Sequence, residues 1–176
     1  MRRDIDEAEF DKLFEDFEHT AFRLETRERY VEDSEVGPLQ AFQAGRPGYQ
    51  WLQRWQDYIG EITAQGKVFA RVRVVSEPHS DYTRFGIDAS RINVAAGEDI
   101  RYLPRPRAHD LGLPAEDYWL FDSRLALIFH FGADGRIAQF ELIDDPETIV
   151  QRNHWRDASQ HHAIPRDEYA APNNLE

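Results

Sequence analysis

The fold is decided by the run Val68-Phe69-Ala70-Arg71-Val72-Arg73-Val74-Val75, in which small aliphatic residues alternate with larger or charged ones. Successive side chains of a β-strand lie on opposite faces of its sheet, so this alternation indicates a strand. The two faces would carry Val68, Ala70, Val72 and Val74 on one side, and Phe69, Arg71, Arg73 and Val75 on the other. The aliphatic face needs an apolar cover, which indicates a layered domain.

The segments on either side of this run supply the other elements. Residues 51–64 carry apolar side chains at helical spacing, and residues 78–97 form a connection long enough for a crossover. A right-handed crossover would make residues 100–103 a parallel neighbour of Val68–Val75. The remaining predicted elements are a strand at 21–26, helices at 10–17 and 146–161, a loop at 27–50 with one helical turn near 39–44, and strands at 118–122, 125–131 and 137–143.

Together these elements predict a mixed α/β (α+β) domain. Its mixed sheet would have about five to six strands, ending in an antiparallel meander and covered by three helices. Trp51 and Trp55 are expected to be buried against the sheet. We interpret residues 1–165 as a single globular domain and residues 166–176 as an exposed C-terminal tail, since no internal repeat or low-complexity linker interrupts the chain.

Composition and net charge argue against several classes of function. The 176 residues include no cysteine, which excludes disulfide and thiolate chemistry. The net charge of −12 argues against direct nucleic-acid binding, because neutralisation of phosphates supplies most of that affinity. The N-terminal residues contain no apolar signal segment, and no apolar run approaches the ~20 residues of a membrane span. The sequence therefore predicts a cytoplasmic protein without membrane contact.

An arginine group is the main candidate for a ligand site. Residues 67–107 carry 8 basic and 5 acidic side chains, whereas both flanking segments are acidic. On adjacent strands, the arginines would converge on a small anion, a carboxylate or a phosphate, which the guanidinium fork binds well. The candidate ligand-binding residues are Arg71, Arg73, Tyr82, Arg84, Asn93 and Arg101. The alternative is a structural ion-pair network in which Glu98, Asp99, Asp81 and Asp88 neutralise these arginines.

Other constellations give weaker indications. His154, Asp157 and His161 share one helical face, but their spacing matches no short metal motif, so we predict no metal site. Aromatic residues between positions 49 and 121 could stack on nucleobases, but core packing explains their spacing better. The chain has no nucleophile elbow, Walker loop or dinucleotide fingerprint. The sequence therefore predicts no catalytic residues and no cofactor.

One stretch resembles a known enzyme fold. In Leu120-Phe121-Asp122-Ser123-Arg124-Leu125-Ala126-Leu127-Ile128, a strand ends in an aspartate and turns directly into another strand. Together with the order of elements from Trp51 onwards, this resembles a phospholipase-D-like domain. Enzymes of that family place a histidine and a lysine seven and five residues before the aspartate. Here those positions hold Ala115 and Asp117, so the resemblance implies a degenerate domain without phosphodiesterase chemistry.

A second resemblance covers most of the chain. The sequence is similar to an uncharacterised actinobacterial family, domain of unknown function 6879. The matching residues are Arg71-Val72-Arg73-Val74-Val75, Ser80-Asp81-Tyr82, Arg84-Phe85, Ala95-Ala96-Gly97-Glu98-Asp99-Ile100-Arg101, Leu113-Pro114 and Asp117-Tyr118-Trp119-Leu120-Phe121-Asp122. The resemblance implies an accessory protein encoded beside helix-turn-helix regulators, with no assigned chemistry.

Two functional hypotheses follow. The first is a non-enzymatic accessory or regulatory module that works by protein-protein contact or by binding a small anionic effector, with a helix-turn-helix transcription regulator as partner. The second is an enzyme that acts on a small anionic or phosphorylated substrate through the arginine group. The sequence does not indicate an oligomeric state.

Overall fold

The computed structural model describes residues 1–171 and contains one mixed sheet with helices on both faces. The strands are β1 (Arg2–Ile5), β2 (Thr20–Glu25), β3 (Val68–Val75), β4 (Asp99–Pro104), β5 (Tyr118–Phe121), β6 (Leu125–Phe131), β7 (Ile137–Ile143) and β8 (Ile164–Pro165). The helices are α1 (Glu7–Asp16), α2 (Asp33–Gln43), α3 (Gln53–Ala64), α4 (Asp81–Ala95), α5 (Arg105–Asp110), α6 (Pro146–His162) and α7 (Arg166–Tyr169), with a 3₁₀ turn at Gln50–Leu52 before α3.

The strand order is β1-β7-β6-β5-β2-β3-β4-β8. β3 is paired in parallel with β2 on one side and with β4 on the other. The predicted parallel pairing of β3 with β4 is confirmed, and α4 forms the crossover between them. The predicted antiparallel meander is also confirmed, since β5 pairs with β6 and β6 with β7.

Each face of the sheet has its own apolar layer. The aliphatic face of β3 packs with Phe22, Leu24, Leu103 and Ile149, in the layer that includes residues of α5 and α6. On the opposite face, the sheet residues near Phe69 and Trp119 pack with α1 and α3. Alternation along β3 therefore places Arg71 and Arg73 on the α1–α3–α4 side, between Phe69 and Val75.

The structure has more elements than the sequence predicted. Residues 1–171 form eight strands and seven α-helices, instead of five to six strands and three helices. β1 and β8 are too short to show a period of their own, and they form only by pairing with β7 and β4. α2 occupies part of the predicted 27–50 loop. Its Gly37-Pro38 pair resembles a helix breaker, but Leu39 anchors the helix against Tyr82 and Phe85.

Two further expectations differ from the structure. Trp51 and Trp55 are half-buried instead of buried, because both line open spaces at the sheet surface. The segment predicted as an exposed tail begins with α7, whose Tyr169 is buried and stacks on Tyr102 with ring centroids 5.0 Å apart. The rest of the predicted tail, 172–176, lies outside the described residues. No helix within residues 1–171 is long and apolar enough to cross a membrane.

Candidate functional site

Parallel pairing brings charged residues of β2 and β3 together on one face of the sheet. Arg23 of β2 lies opposite Arg71 of β3, and Glu25 lies opposite Arg73. Each pair is a direct Cα partner in the register, so all four side chains project from the same face. Two parallel strands thus place three guanidinium groups around one carboxylate.

Glu25 is the centre of this group and is 3% exposed. Its Oε1 accepts a hydrogen bond from Arg71 Nη1 at 3.2 Å, and its Oε2 accepts one from Arg73 Nη1 at 3.2 Å. Arg23 Nε also lies 3.2 Å from Oε1, although it donates no hydrogen bond to it. Burial alone would raise the pKa of Glu25, but the three neighbouring positive charges outweigh it and lower the pKa to about 2.

A second buried carboxylate binds the outer side of Arg71. Glu98 Oε1 accepts from Arg71 Nε at 2.8 Å and from Arg71 Nη2 at 2.7 Å. Burial raises the pKa of Glu98, although the Arg71 charge opposes the shift. Burial similarly raises the pKa of Glu35, which accepts a hydrogen bond from Tyr82 Oη at 2.6 Å. One carboxyl group of this region, Glu25, therefore has a lowered pKa, and two others, Glu98 and Glu35, have raised pKa values.

All of these residues except Glu98 line a cavity of about 200 Å³ between the sheet, α3 and α4. Aromatic side chains complete its wall, among them Trp51, Trp55, Tyr82, Phe85 and Tyr102. Four wall residues have buried polar atoms without a hydrogen-bond partner: Arg23 Nε, Arg73 Nη2, Trp51 Nε1 and Asn93 Oδ1. Buried polar groups are normally paired, so these three donors and one acceptor are candidates for contact with a guest molecule.

The structure brings together four of the six predicted ligand residues. Arg71, Arg73, Tyr82 and Asn93 all line the cavity. Arg101 does not, and the predicted convergence of Arg101 with Arg71 and Arg73 is wrong. Its register partner is Val72, so its side chain lies on the opposite face, where Nη1 donates to the Gln160 carbonyl at 3.1 Å.

Arg84 also lies away from the cavity. Its side chain is half exposed on α4 and pairs with Asp81 at 3.0 Å. These contacts agree with the alternative hypothesis of structural ion pairs, since Arg101 likewise pairs with Asp99 at 2.9 Å. Inside the cavity, the pairing of Arg71 with Glu98 at 2.7 Å agrees with that alternative as well. Asp88, the remaining predicted neutraliser, pairs with Arg91 instead.

Sequence reasoning missed Arg23, Glu25 and Glu35. The signal for the first two was the alternation of Phe22 and Leu24 with charged neighbours, which places Arg23 and Glu25 on one face of a strand. Arg23 and Glu25 meet Arg71 and Arg73 only because β2 pairs with β3, and no local sequence pattern specifies this pairing. Glu35 was missed because its segment was interpreted as a loop.

The two aspartates of the phospholipase-D-like comparison have structural contacts. Asp122 accepts hydrogen bonds from the backbone N–H groups of Glu18, His19 and Thr20 at 2.9, 2.7 and 3.0 Å. Asp117 is 1% exposed and accepts from Thr26 N at 2.8 Å and from the Tyr30 hydroxyl. Each carboxylate therefore fastens one end of β2 to the β5 region.

The fold and the site together define a mixed α/β domain with a buried arginine cavity. The chain belongs to the family described as Domain of unknown function (DUF6879), whose model matches residues 8–171. This confirms the family membership that the second sequence resemblance indicated. No curated protein matches the chain. Within residues 1–171, no group of three His, Cys, Asp or Glu side chains is placed to hold a metal ion.

Proposed function

We propose that the chain is a non-enzymatic accessory module that binds a small anionic effector in the arginine cavity. The observation that carries this proposal is that Arg73, a residue of the cavity wall, has a buried Nη2 without a hydrogen-bond partner. A guanidinium N–H out of contact with water costs free energy until an acceptor reaches it. An oxyanion is the acceptor that a guanidinium binds most strongly.

The charge balance favours an anion once Glu98 or Glu35 is protonated. Arg23, Arg71 and Arg73 bring three permanent positive charges, and Glu25 is the one carboxyl group among them with a lowered pKa. Burial raises the pKa values of Glu98 and Glu35. Each proton that either carboxyl takes up leaves one guanidinium charge uncompensated. An entering anion would supply the compensation inside a region of low dielectric constant.

The test is a titration of the purified protein with inorganic phosphate, phosphate esters and small carboxylates, followed by calorimetry and thermal shift. At least one anion should bind the wild type, and Arg73→Lys should weaken it at least tenfold while keeping the charge, because lysine lacks the second N–H group. Arg84→Gln is the matched control, since it removes an arginine from α4 outside the cavity. Equal binding by both variants, or no binding by the wild type, would overturn the proposal.

An enzyme acting on a small anionic or phosphorylated substrate is the second candidate. The observation that favours it is the Tyr82–Glu35 pair on the cavity wall, because shifted pKa values are common among catalytic acids and bases. Its test is turnover: any anion that binds is incubated with the protein and its products are followed by mass spectrometry. Turnover that Glu35→Gln abolishes would replace the first proposal with this one.

The further parts of the proposal concern the cellular setting. We propose an actinobacterial, cytoplasmic protein whose partner is a helix-turn-helix transcription regulator and whose domain is a degenerate relative of phospholipase-D-like enzymes. Support comes from the sequence resemblance and from the net charge of −12, which makes direct DNA binding unfavourable. Purified protein should neither shift DNA in a gel nor hydrolyse a phosphodiester. Co-purification from the native host should yield such a regulator, and recovery of the chain without one would count against the partner.

A further inference from the structure

A second space adjoins the arginine cavity on the same face of the sheet. It is a groove of about 570 Å³ between α1 and α3, and we call it the aromatic groove. Its lining includes Phe10, Phe14, Trp55, Tyr58 and Trp119. The rings pack edge to face, with centroids 5.0 Å apart for Phe14–Trp119 and 6.1 Å for Phe14–Trp55. The groove thus offers a wall of aromatic rings to a flat apolar group.

The cavity and the groove share three wall residues: Arg23, Trp51 and Trp55. The two tryptophans are only half-buried, although large aromatic side chains gain most from full burial. Arg23 lies over the Trp119 ring, with its guanidinium carbon 5.5 Å from the centroid. A molecule that occupied both spaces would therefore pass between two indole rings and a guanidinium group.

Unpartnered polar atoms lie along this route. Trp119 is 2% exposed, lines the groove, and its Nε1 has no hydrogen-bond partner. Arg23 Nε and Trp51 Nε1, at the junction, also lack partners. In the cavity the same holds for Arg73 Nη2 and Asn93 Oδ1. The excess of donors suits an oxyanion, and the single acceptor suits one hydrogen-bond donor on the guest.

The charges at the groove limit what the guest can carry there. Asp11 and Glu15 of α1 line the groove and are exposed. Of its two positive side chains, Arg54 of α3 is exposed and Arg23 is already paired with Glu25. Two negative charges beside the groove disfavour a second anionic group on the guest. The negative charge of the guest therefore belongs in the arginine cavity, and the part in the groove is uncharged.

From this arrangement we infer that the effector is an aromatic monoacid: a single carboxylate bound in the arginine cavity, joined to an uncharged aromatic ring that lies in the aromatic groove. The inference rests on the proposed anion site and specifies its ligand class. The carboxylate accepts from Arg73 and Trp51, and the ring packs against Trp55 and Phe14. A polar N–H or O–H on the guest would satisfy Asn93 Oδ1.

The experiment compares four probes by isothermal titration calorimetry: indole-3-acetate, acetate, indole and inorganic phosphate. The inference expects indole-3-acetate to bind at least tenfold more tightly than acetate, phosphate or indole, because only this probe fills both spaces. Acetate or phosphate binding as tightly as indole-3-acetate would overturn the aromatic monoacid and leave the anion site standing. Failure of all four probes would overturn the inference, and the proposed function would fall with it only if the phosphate esters and other carboxylates of the wider titration also fail to bind.

Variants assign the binding to the two spaces. Trp55→Leu should weaken indole-3-acetate at least fivefold more than it weakens acetate, because the indole ring packs on Trp55, whereas Arg73→Lys should weaken both probes alike. Trp155→Leu is the matched control, because this tryptophan lies on α6, away from the groove and the cavity. Circular dichroism checks that each variant is folded. Indole-3-acetate binding that is insensitive to Trp55→Leu, or equally sensitive to Trp155→Leu, would contradict the inference.

Discussion

Glu25 and Arg73 are direct partners on two adjacent parallel strands, and they form an ion pair of 3.2 Å with side chains only 3% and 10% exposed. Removing two charges from water costs several kcal/mol for each ion, so the pair depends on its surroundings. Arg23 and Arg71 stabilise the buried pair because they add two further positive charges around the same carboxylate. The carboxylate is therefore the group on which the arginine cavity depends.

Removing that carboxylate should destabilise the protein strongly. Glu25→Gln leaves three buried guanidinium groups without their shared counter-ion, and we expect a loss of about 3–5 kcal/mol in the free energy of unfolding at pH 7. Urea denaturation followed by circular dichroism measures it. Glu61→Gln on the exposed side of α3 is the control and should change stability by less than about 0.5 kcal/mol. Similar losses in both variants would show that Glu25 does not hold the cavity together.

The same carboxylate should make stability depend on acid. Its pKa of about 2 in the folded state lies below the ordinary value of 4.5, so the folded protein favours the ionised form. The resulting stabilisation is complete above pH 4.5 and is lost as the pH falls from 4.5 towards 2. The stability difference between the wild type and Glu25→Gln should therefore shrink between pH 5 and pH 3. Urea titrations at pH 7, 5, 4 and 3 measure it, and a constant difference would contradict the shift.

Burial of Glu98 has the opposite effect on the pH dependence of stability. Its raised pKa means that the folded state favours the protonated form, so ionisation of Glu98 reduces stability as the pH rises above the ordinary value of 4.5. Glu98→Gln removes this ionisation and keeps an acceptor for Arg71. The variant should lose less stability than the wild type between pH 5 and pH 8 in the same urea assay. A steeper loss in the variant would show that the Arg71–Glu98 ion pair outweighs burial.

How far the sequence predicts this molecule depends on whether the deciding contacts are local. Alternation along Val68–Val75 and the length of the following connection were enough to predict the parallel pairing of β3 and β4. The same alternation was also enough to place Arg71 and Arg73 on one face. It did not indicate that β4 is in a register that pairs Val72 with Arg101, and a shift of one residue decides which face a side chain occupies.

The rest of the site depends on long-range pairing. Glu25 becomes its centre only because β2 inserts between β5 and β3, and residues 21–26 contain no signal for that position. The short edge strands β1 and β8 were missed for the same reason. Asp122 shows both a local and a long-range contribution. The sequence correctly indicated a sharp turn after a strand at this aspartate. The three backbone N–H groups that its carboxylate binds lie about a hundred positions away in the chain, and no local pattern indicated them.

Asp122 should act as a structural anchor. Its φ of 50° favours Asp, Asn or Gly, and its carboxylate satisfies three backbone N–H groups. We expect Asp122→Ala to cost about 2–3 kcal/mol, and Asp122→Asn about 1 kcal/mol because the amide keeps one acceptor oxygen and tolerates the backbone. Asp110→Asn, at the exposed end of α5, serves as control in the same urea assay. Equal stability of the alanine and asparagine variants would rule out the anchoring role.

Two glycines should respond to the same substitution with opposite signs. Gly97, between α4 and β4, has a φ of +111°, and a Cβ there would lie 2.9 Å from Thr63 Oγ1. Gly60 lies inside α3, and a Cβ there would have no atom within 4 Å. Gly97→Ala combines backbone strain with a steric clash and should cost at least 2 kcal/mol, on the order of two such penalties.

Gly60→Ala should instead stabilise the protein by about 0.5–1 kcal/mol, because alanine favours the helix and restricts the unfolded chain. Thermal unfolding of both variants beside the wild type measures the two effects, with the melting temperature expected to fall for Gly97→Ala and rise for Gly60→Ala. The double variant Gly97→Ala/Thr63→Ser separates the two causes, since removing the Thr63 methyl group relieves part of the clash but none of the backbone strain. Full recovery in that double variant would mean that packing, and not the φ angle, requires glycine at position 97.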